Sequence, residues 1–141
     1  MIKRIEFVIA TTGRKNLDFA KKMNLHAPAV IANQCGRYQI LQDENLVMVG
    51  TPTRGVGINR NLGINLTDAE YAFIVDDDMV FYDNAIDILN QALEVHSDAD
   101  VIIFGFDYVK DSKIVRKRMQ KSERVKLHNC LNYGICCALV R

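Results

Sequence analysis

The chain has 141 residues, 49% of them hydrophobic and 25% charged, with a formal net charge of +1. That is enough for one domain, residues 1–141, with a sizeable core; the near-neutral balance gives no global field for nucleic acid or membrane. No apolar run reaches transmembrane length, and the short apolar stretch after Arg4 lacks the core and cleavage site of a signal peptide, so the chain reads as cytoplasmic.

Residues 5–10, IEFVIA, read as a first strand that ends in Thr11-Thr12-Gly13-Arg14. Asn16 is placed to cap a helix running to about Met23, with Leu17 and Ala20 inward and Lys15, Lys21 and Lys22 outward. Residues 29–32, AVIA, form a second strand ending in Asn33-Gln34-Cys35-Gly36, and residues 46–49, LVMV, a third ending in Gly50-Thr51-Pro52-Thr53. Arg54-Gly55-Val56-Gly57 then opens a helix in which Ile58, Leu62 and Leu66 share one face. Such a start leaves N–H groups able to hold an anion, with Arg54 and Arg60 adding charge; the alternative is a glycine turn with surface arginines. The spacing is neither a P-loop nor a dinucleotide GxGxxG.

Residues 71–75, YAFIV, read as a buried fourth strand. It stops at Asp76-Asp77-Asp78. Three adjacent carboxylates repel, and burying them unpaired is costly. A cation would relieve that cost, and hard oxygen ligands favour Mg²⁺ or Mn²⁺ over Zn²⁺; the alternative is a solvated acidic turn. Asp83-Asn84 caps a helix over 85–95 with Ile86, Leu89, Ala92 and Leu93 on one face. Residues 101–106, VIIFGF, form a fifth strand. Residues 110–126 carry eight basic and two acidic residues, either a solvated loop or hairpin or a patch facing phosphates or an anionic membrane surface. Residues 133–140, YGICCALV, read as a last strand, on which Cys136 and Cys137 point to opposite faces. With Cys35 and Cys130 they show no zinc spacing and read as buried small hydrophobes. His26, His96 and His128 are scattered and form no triad order.

Strands alternating with helices predict an α/β architecture, a mainly parallel sheet flanked by helices. Ligands of such sheets bind outside the carboxyl ends of the strands. If the first, second and fourth strands are neighbours, one cleft holds polar groups for a base and ribose, positive charge for phosphates and carboxylates for a metal. A nucleoside diphosphate requires that set.

At these residues the chain resembles the family 2 glycosyltransferases of the Rossmann-like GT-A fold. FVIATTGRKNL resembles the family's opening strand and turn, often "IPTYNR", and TRGVGINRNLGINLTDAEYAFIVDDDMVFYDNAI its central segment, which joins a glycine-asparagine helix to a strand ending in DxD. The resemblance implies that Thr11, Thr12 and Arg14 line the nucleotide pocket. Asn33 stands where the family usually reads the base with an aspartate, and an amide can still pair with a uracil edge. Arg54 would approach the diphosphate, Asp78 would ligate the metal with Asp76 as a further ligand, and Asp76 or Asp77 would contact ribose or sugar. It further implies an inverting transfer of sugar from a nucleotide-sugar donor, a UDP-sugar first, to a glycan or lipid-linked acceptor in surface polysaccharide synthesis, with Mg²⁺ or Mn²⁺ as cofactor. The charge balance points to no nucleic acid partner, and the basic residues 110–126 leave peripheral contact with a membrane as one reading. The family places its catalytic base, often in an "ED" pair, after a strand that residues 133–141 resemble. No catalytic residue is therefore assigned, and the chain reads either as a donor-binding part truncated at its C-terminus or as a catalytically inactive remnant that binds donor, in both cases binding donor while transferring poorly or not at all.

Two other readings fit less well. A receiver-like signalling domain needs acidic residues after the first strand and a lysine after the fifth, where this chain has Thr11-Thr12-Gly13 and Asp107-Tyr108. A nucleotidyltransferase needs a glycine-rich, lysine-containing loop after the first strand, which ATTGRK matches faintly.

Overall fold

The computed structural model describes residues 5–118, 121–134 and 136–141. In chain order the elements are β1 (Ile5–Thr12), α1 (Asp18–Lys21), β2 (Ala29–Gln34), β3 (Gln39–Asp43), β4 (Leu46–Thr51), α2 (Val56–Leu66), β5 (Tyr71–Asp76), α3 (Ala85–Val95), β6 (Val101–Ile103), β7 (Phe106–Lys110), β8 (Lys113–Arg118), a short 3₁₀ turn (Cys130–Asn132) and β9 (Ala138–Val140). Seven strands form one sheet in the order β3-β4-β2-β1-β5-β9-β6, and β7 and β8 form a separate hairpin. The centre, β4-β2-β1-β5, is parallel. β3 and β9 run antiparallel to their neighbours, and β6, antiparallel to β9, points the same way as β5.

The central strands are apolar on both faces because both are covered. On one face Phe7, Ile9, Ile31, Met48, Phe73 and Val75 pack against α1, α3 and the segment around Phe81. Phe7 meets Phe73 and Phe81 edge-on at 5.4 and 4.9 Å between ring centroids, a favoured aromatic geometry. On the other face Val8, Ala72 and Ile74 pack with Ile64 of α2.

Helix α2 approaches the sheet by an unexpected stripe. The periodicity predicts Ile58, Leu62 and Leu66 as its inner face, yet Ile58 and Leu66 are exposed, and Asn59 and Gly63 are the buried positions. Gly63 lets the helix backbone sit against β1, and Asn59 hydrogen-bonds into the sheet, so proximity and polarity decide the contact rather than apolar area.

Other elements also depart from expectation. Asn16 does not occupy the cap position of α1; that place is held by Leu17, and α1 is a single turn. The Asn16 side chain still accepts the Asp18 N–H at 3.2 Å. The expected strand over 101–106 divides after Ile103, where Phe104 packs edge-on to Phe73 at 5.7 Å and the chain leaves for the β7–β8 hairpin. The expected strand over 133–140 is confined to β9. Residue 135, like residues 119–120 in the basic segment, lies outside the described residues. Cys137 has φ of 59° in a turn before β9, so the two cysteines do not alternate across a strand. Only Cys137 of the four cysteines is buried; the others are half-buried.

Candidate functional site

Pairing register places the site. Ala10 of β1 stands opposite Asp76 of β5, and Thr11 opposite Asn33 of β2. The turn after β1, the end of β2 and the triple aspartate therefore share the carboxyl edge of the parallel strands, as the sequence predicts. Asn59 of α2 fastens this edge: its amide donates to the main-chain carbonyls of Thr11 at 3.0 Å and Ala32 at 2.8 Å. The N-terminus of α2 thus lies over the ends of β1 and β2. Gln34 reinforces it by donating to the Gly55 carbonyl at 2.8 Å. Gly55 has φ of 116°, a conformation that favours glycine, and no side chain caps the helix.

The three aspartates have three environments. Asp76 accepts a hydrogen bond from Arg60 Nη2 of α2 at 2.7 Å. Asp77, on the opposite side of the strand end, accepts from Arg14 Nε and Nη2 at 3.0 and 2.6 Å and from the Thr11 hydroxyl. Asp78 is exposed. Arg60 and Arg14 thus offset part of the repulsion inside this triplet, at Asp76 and Asp77. Arg14 is itself positioned from behind. Its N–H donates to the Asn33 carboxamide oxygen at 3.2 Å, the Asn33 amide returns a bond to the Arg14 carbonyl at 2.8 Å, and its guanidinium lies over the Phe19 ring at 4.7 Å. The segment after Asp78 is held by Phe81, whose N–H donates to the Met23 carbonyl at 2.9 Å and whose carbonyl accepts from Asn24.

In front of Arg14, Asp77 and Asp78 opens a cleft of about 420 Å³, lined also by Asn16, Phe19 and Val80. Of the expected site residues, Arg14, Asp77 and Asp78 line it; Thr11 is buried behind them on Asp77, and Asp76 is turned to Arg60 outside it. Thr12 is exposed at the end of β1 and Arg54 ahead of α2. Asn33 is fully buried, both ends of its amide bonded to Arg14. In the sequence Arg60 stands only as added charge; its pairing with Asp76 comes from the seating of α2 on Asn59 and Gly63 rather than on Ile58, Leu62 and Leu66. Cys136 is a second neighbour of this pair. The hydrogen bond shared with Cys137, 4.0 Å away, holds the Cys136 thiol below its ordinary range, while partial burial and the Asp76 carboxylate pull it up. The same bond, with burial, pushes the Cys137 thiol far up.

Among the described residues no three His, Cys, Asp or Glu side chains stand close enough together to hold a metal ion by themselves. The donor set fits a hard cation in a more limited way. Asp78 offers an exposed carboxylate beside the cleft, and Mg²⁺ or Mn²⁺ is commonly bound by one or two carboxylates with substrate phosphates and water completing the shell.

The family model of glycosyl transferase family 2 matches residues 29–138. Two solved structures are similar in shape. One is S. aureus TarS 1–349, with a TM-score of 0.52 and 16% identity, covering 71% of this chain and 34% of that one. The other is the same protein in complex with UDP-GlcNAc, with a TM-score of 0.53 and 16% identity, covering 71% and 33%. This chain spans about a third of the length of those structures. No curated protein matches it significantly in sequence.

Proposed function

This chain belongs to glycosyl transferase family 2 and has the GT-A fold, and from that premise we propose that it forms the donor site of a glycosyltransferase using a nucleoside diphosphate sugar. The observation that carries the reading is the β1–β5 register. It brings the Thr11–Arg14 turn and the triple aspartate to one edge beside a cleft, in a chain matched by that family. A UDP-sugar is the first donor to test, since TarS is solved with UDP-GlcNAc.

The roles follow from position. Thr12 supplies a hydroxyl for the nucleoside, Arg14 lines the cleft that receives it, and Thr11, buried, holds Asp77 and Arg14 in place. Asn33 acts through Arg14, whose backbone it holds, rather than on the base directly. Arg54 and the uncapped N-terminus of α2 supply positive potential for the diphosphate. Asp78 would hold Mg²⁺ or Mn²⁺ with the help of the donor; Asp76, paired with Arg60, shapes the sugar side of the site. When bound, such a cation supplies Lewis-acid stabilisation of the charge that develops on the leaving diphosphate. The transfer is inverting at the anomeric carbon, to a hydroxyl of a glycan or lipid-linked acceptor in surface polysaccharide synthesis. A carboxylate outside the residues named here takes the acceptor proton.

The test is calorimetric titration of the chain with uridine and with UDP, for wild type and Arg54→Ala. UDP is expected to bind more tightly than uridine. Arg54→Ala should weaken UDP by about tenfold, the order of one charge-assisted contact, and leave uridine unchanged. Equal affinity for uridine and UDP, or no binding of either, overturns the proposal.

A further inference from the structure

The net charge of +1 conceals a strong separation. Residues 110–126 carry eight basic and two acidic residues, a net of +6, so the remainder of the chain carries −5. The structure gives the first part of that segment a shape. β7 and β8 project as a two-stranded hairpin outside the main sheet. Asp111 and Ser112, with φ of 50° and 61°, make its tight turn. Lys110 and Lys113 are cross-strand partners at the tip, Val109 and Ile114 are partners one step back, and Tyr108 faces Arg116. Every residue of β8 is exposed. Val109, Val115 and Ile114 are 63%, 62% and 50% exposed, so aliphatic side chains stand in water among Lys110, Lys113, Arg116, Lys117 and Arg118.

We propose that the β7–β8 hairpin docks this protein on an anionic lipid surface. Two features of the hairpin select that partner together. The basic side chains meet acidic headgroups, and the aliphatic tip residues enter the boundary between headgroups and acyl chains, where their exposure is relieved. A polyanion without an apolar layer, such as nucleic acid, satisfies the bases and leaves Val109, Ile114 and Val115 in water. The charge of the rest of the chain orients the contact, because a body of −5 is repelled by the surface that attracts a segment of +6. The root of the hairpin matters as well. β6 points the same way as β5, with Ile103 level with Ala138 and hence with Ile74, and the hairpin leaves the sheet just beyond. It therefore departs from the same edge as Asp76. The docking itself stands independently of the donor reading.

The experiment is cosedimentation of the full chain with large vesicles of pure phosphatidylcholine and of phosphatidylcholine with about a third phosphatidylglycerol, in about 0.1 M and about 1 M salt, where the screening length falls from about 10 Å to about 3 Å. Binding is expected only to the anionic vesicles and only at the lower salt. The double variant Lys113→Glu/Lys117→Glu should lose more than about tenfold in partitioning, since each basic residue near the surface is worth about fivefold; both positions are exposed. A second readout does not depend on that variant. The chain has no tryptophan, so Val115→Trp reports the tip, and its emission should shift to the blue on anionic vesicles. Equal binding to neutral vesicles, no binding to anionic ones, or binding to a DNA duplex as tight as to vesicles with the Val115→Trp emission unmoved would each overturn the proposal.

Discussion

Gly63 of α2 stands so close to Val8 of β1 that a Cβ built on it would lie 2.5 Å from the Val8 Cγ1. Val8 is fully buried between Gly63 and the parallel strands on either side, and it has little room to move. Gly63→Ala should therefore destabilise the protein by about 1–3 kcal/mol, as overpacking does, despite the gain in helix propensity. Gly57, earlier in the same helix, has nothing within 4 Å of its would-be Cβ. Gly57→Ala should be neutral or stabilising by up to about 1 kcal/mol. The urea midpoint should fall for Gly63→Ala and hold or rise for Gly57→Ala; an unchanged or higher midpoint in Gly63→Ala would show that α2 does not seat on β1 through Gly63.

The Asn59 amide gives the Thr11 and Ala32 carbonyls a donor from the helix above the sheet. Asn59→Leu keeps approximate volume and removes both buried hydrogen bonds. The expected loss is about 1–3 kcal/mol, from two hydrogen bonds of about 1 kcal/mol each and the polar groups they leave behind. Asn59→Asp should be no better, since a carboxylate has no N–H to give. Chemical denaturation of both variants checks this, and a loss under about 0.5 kcal/mol, the ordinary range for an uncoupled surface site, would remove Asn59 from the frame of the site.

The edge that carries the site was legible because its signals are local. Apolar runs stop abruptly at Thr11, Asn33 and Asp76, and α3 spans Ala85–Val95 as its apolar spacing and preceding Asn84 predict. What was illegible depends on tertiary partners. The inner face of α2 is set by the room available beside Val8, so apolar periodicity points to Ile58 and Leu66, which the structure leaves exposed. β3, QILQD, is an edge strand with Ile40 exposed, and its hairpin turn runs through Glu44 at φ of 48° with no glycine to announce it. The break after Ile103 arises because Phe104 is drawn to Phe73. The division of the aspartates between Arg60 and Arg14 needs the distances between elements, which spacing alone does not contain.

Arg14 links Asp77 to the cleft, through a fork of Nε and Nη2 on one carboxylate oxygen. The pair is partly exposed, 41% and 25% for the two side chains, so its removal should cost only about 1 kcal/mol of stability after solvent screening. Its effect on ligand should be larger, because Arg14 lines the cleft and orders the Thr11 hydroxyl. Arg14→Ala should weaken UDP by about tenfold or more. Arg14→Lys should recover little, since an ammonium cannot reproduce the fork or the stacking on Phe19. Calorimetry alongside urea denaturation separates the two effects; a loss of stability with UDP affinity unchanged would make the pair purely structural.

Asp76 and Asp77 are each held by an arginine, whereas Asp78 is exposed beside the cleft. A single carboxylate is a small part of an octahedral shell, so the free chain should bind Mn²⁺ weakly. UDP would bring phosphate oxygens to complete that shell. Metal and nucleotide should then bind with positive and reciprocal coupling. Asp78→Asn preserves shape and removes charge; it should abolish the coupling and leave the affinity for uridine intact. Asp76→Asn should keep most of the coupling, because its carboxylate is already engaged by Arg60. Titrations of UDP with and without Mn²⁺ on the wild type and the two variants decide the matter. Full coupling in Asp78→Asn would return Asp78 to the role of a solvated turn residue and deprive the proposed donor site of its metal ligand.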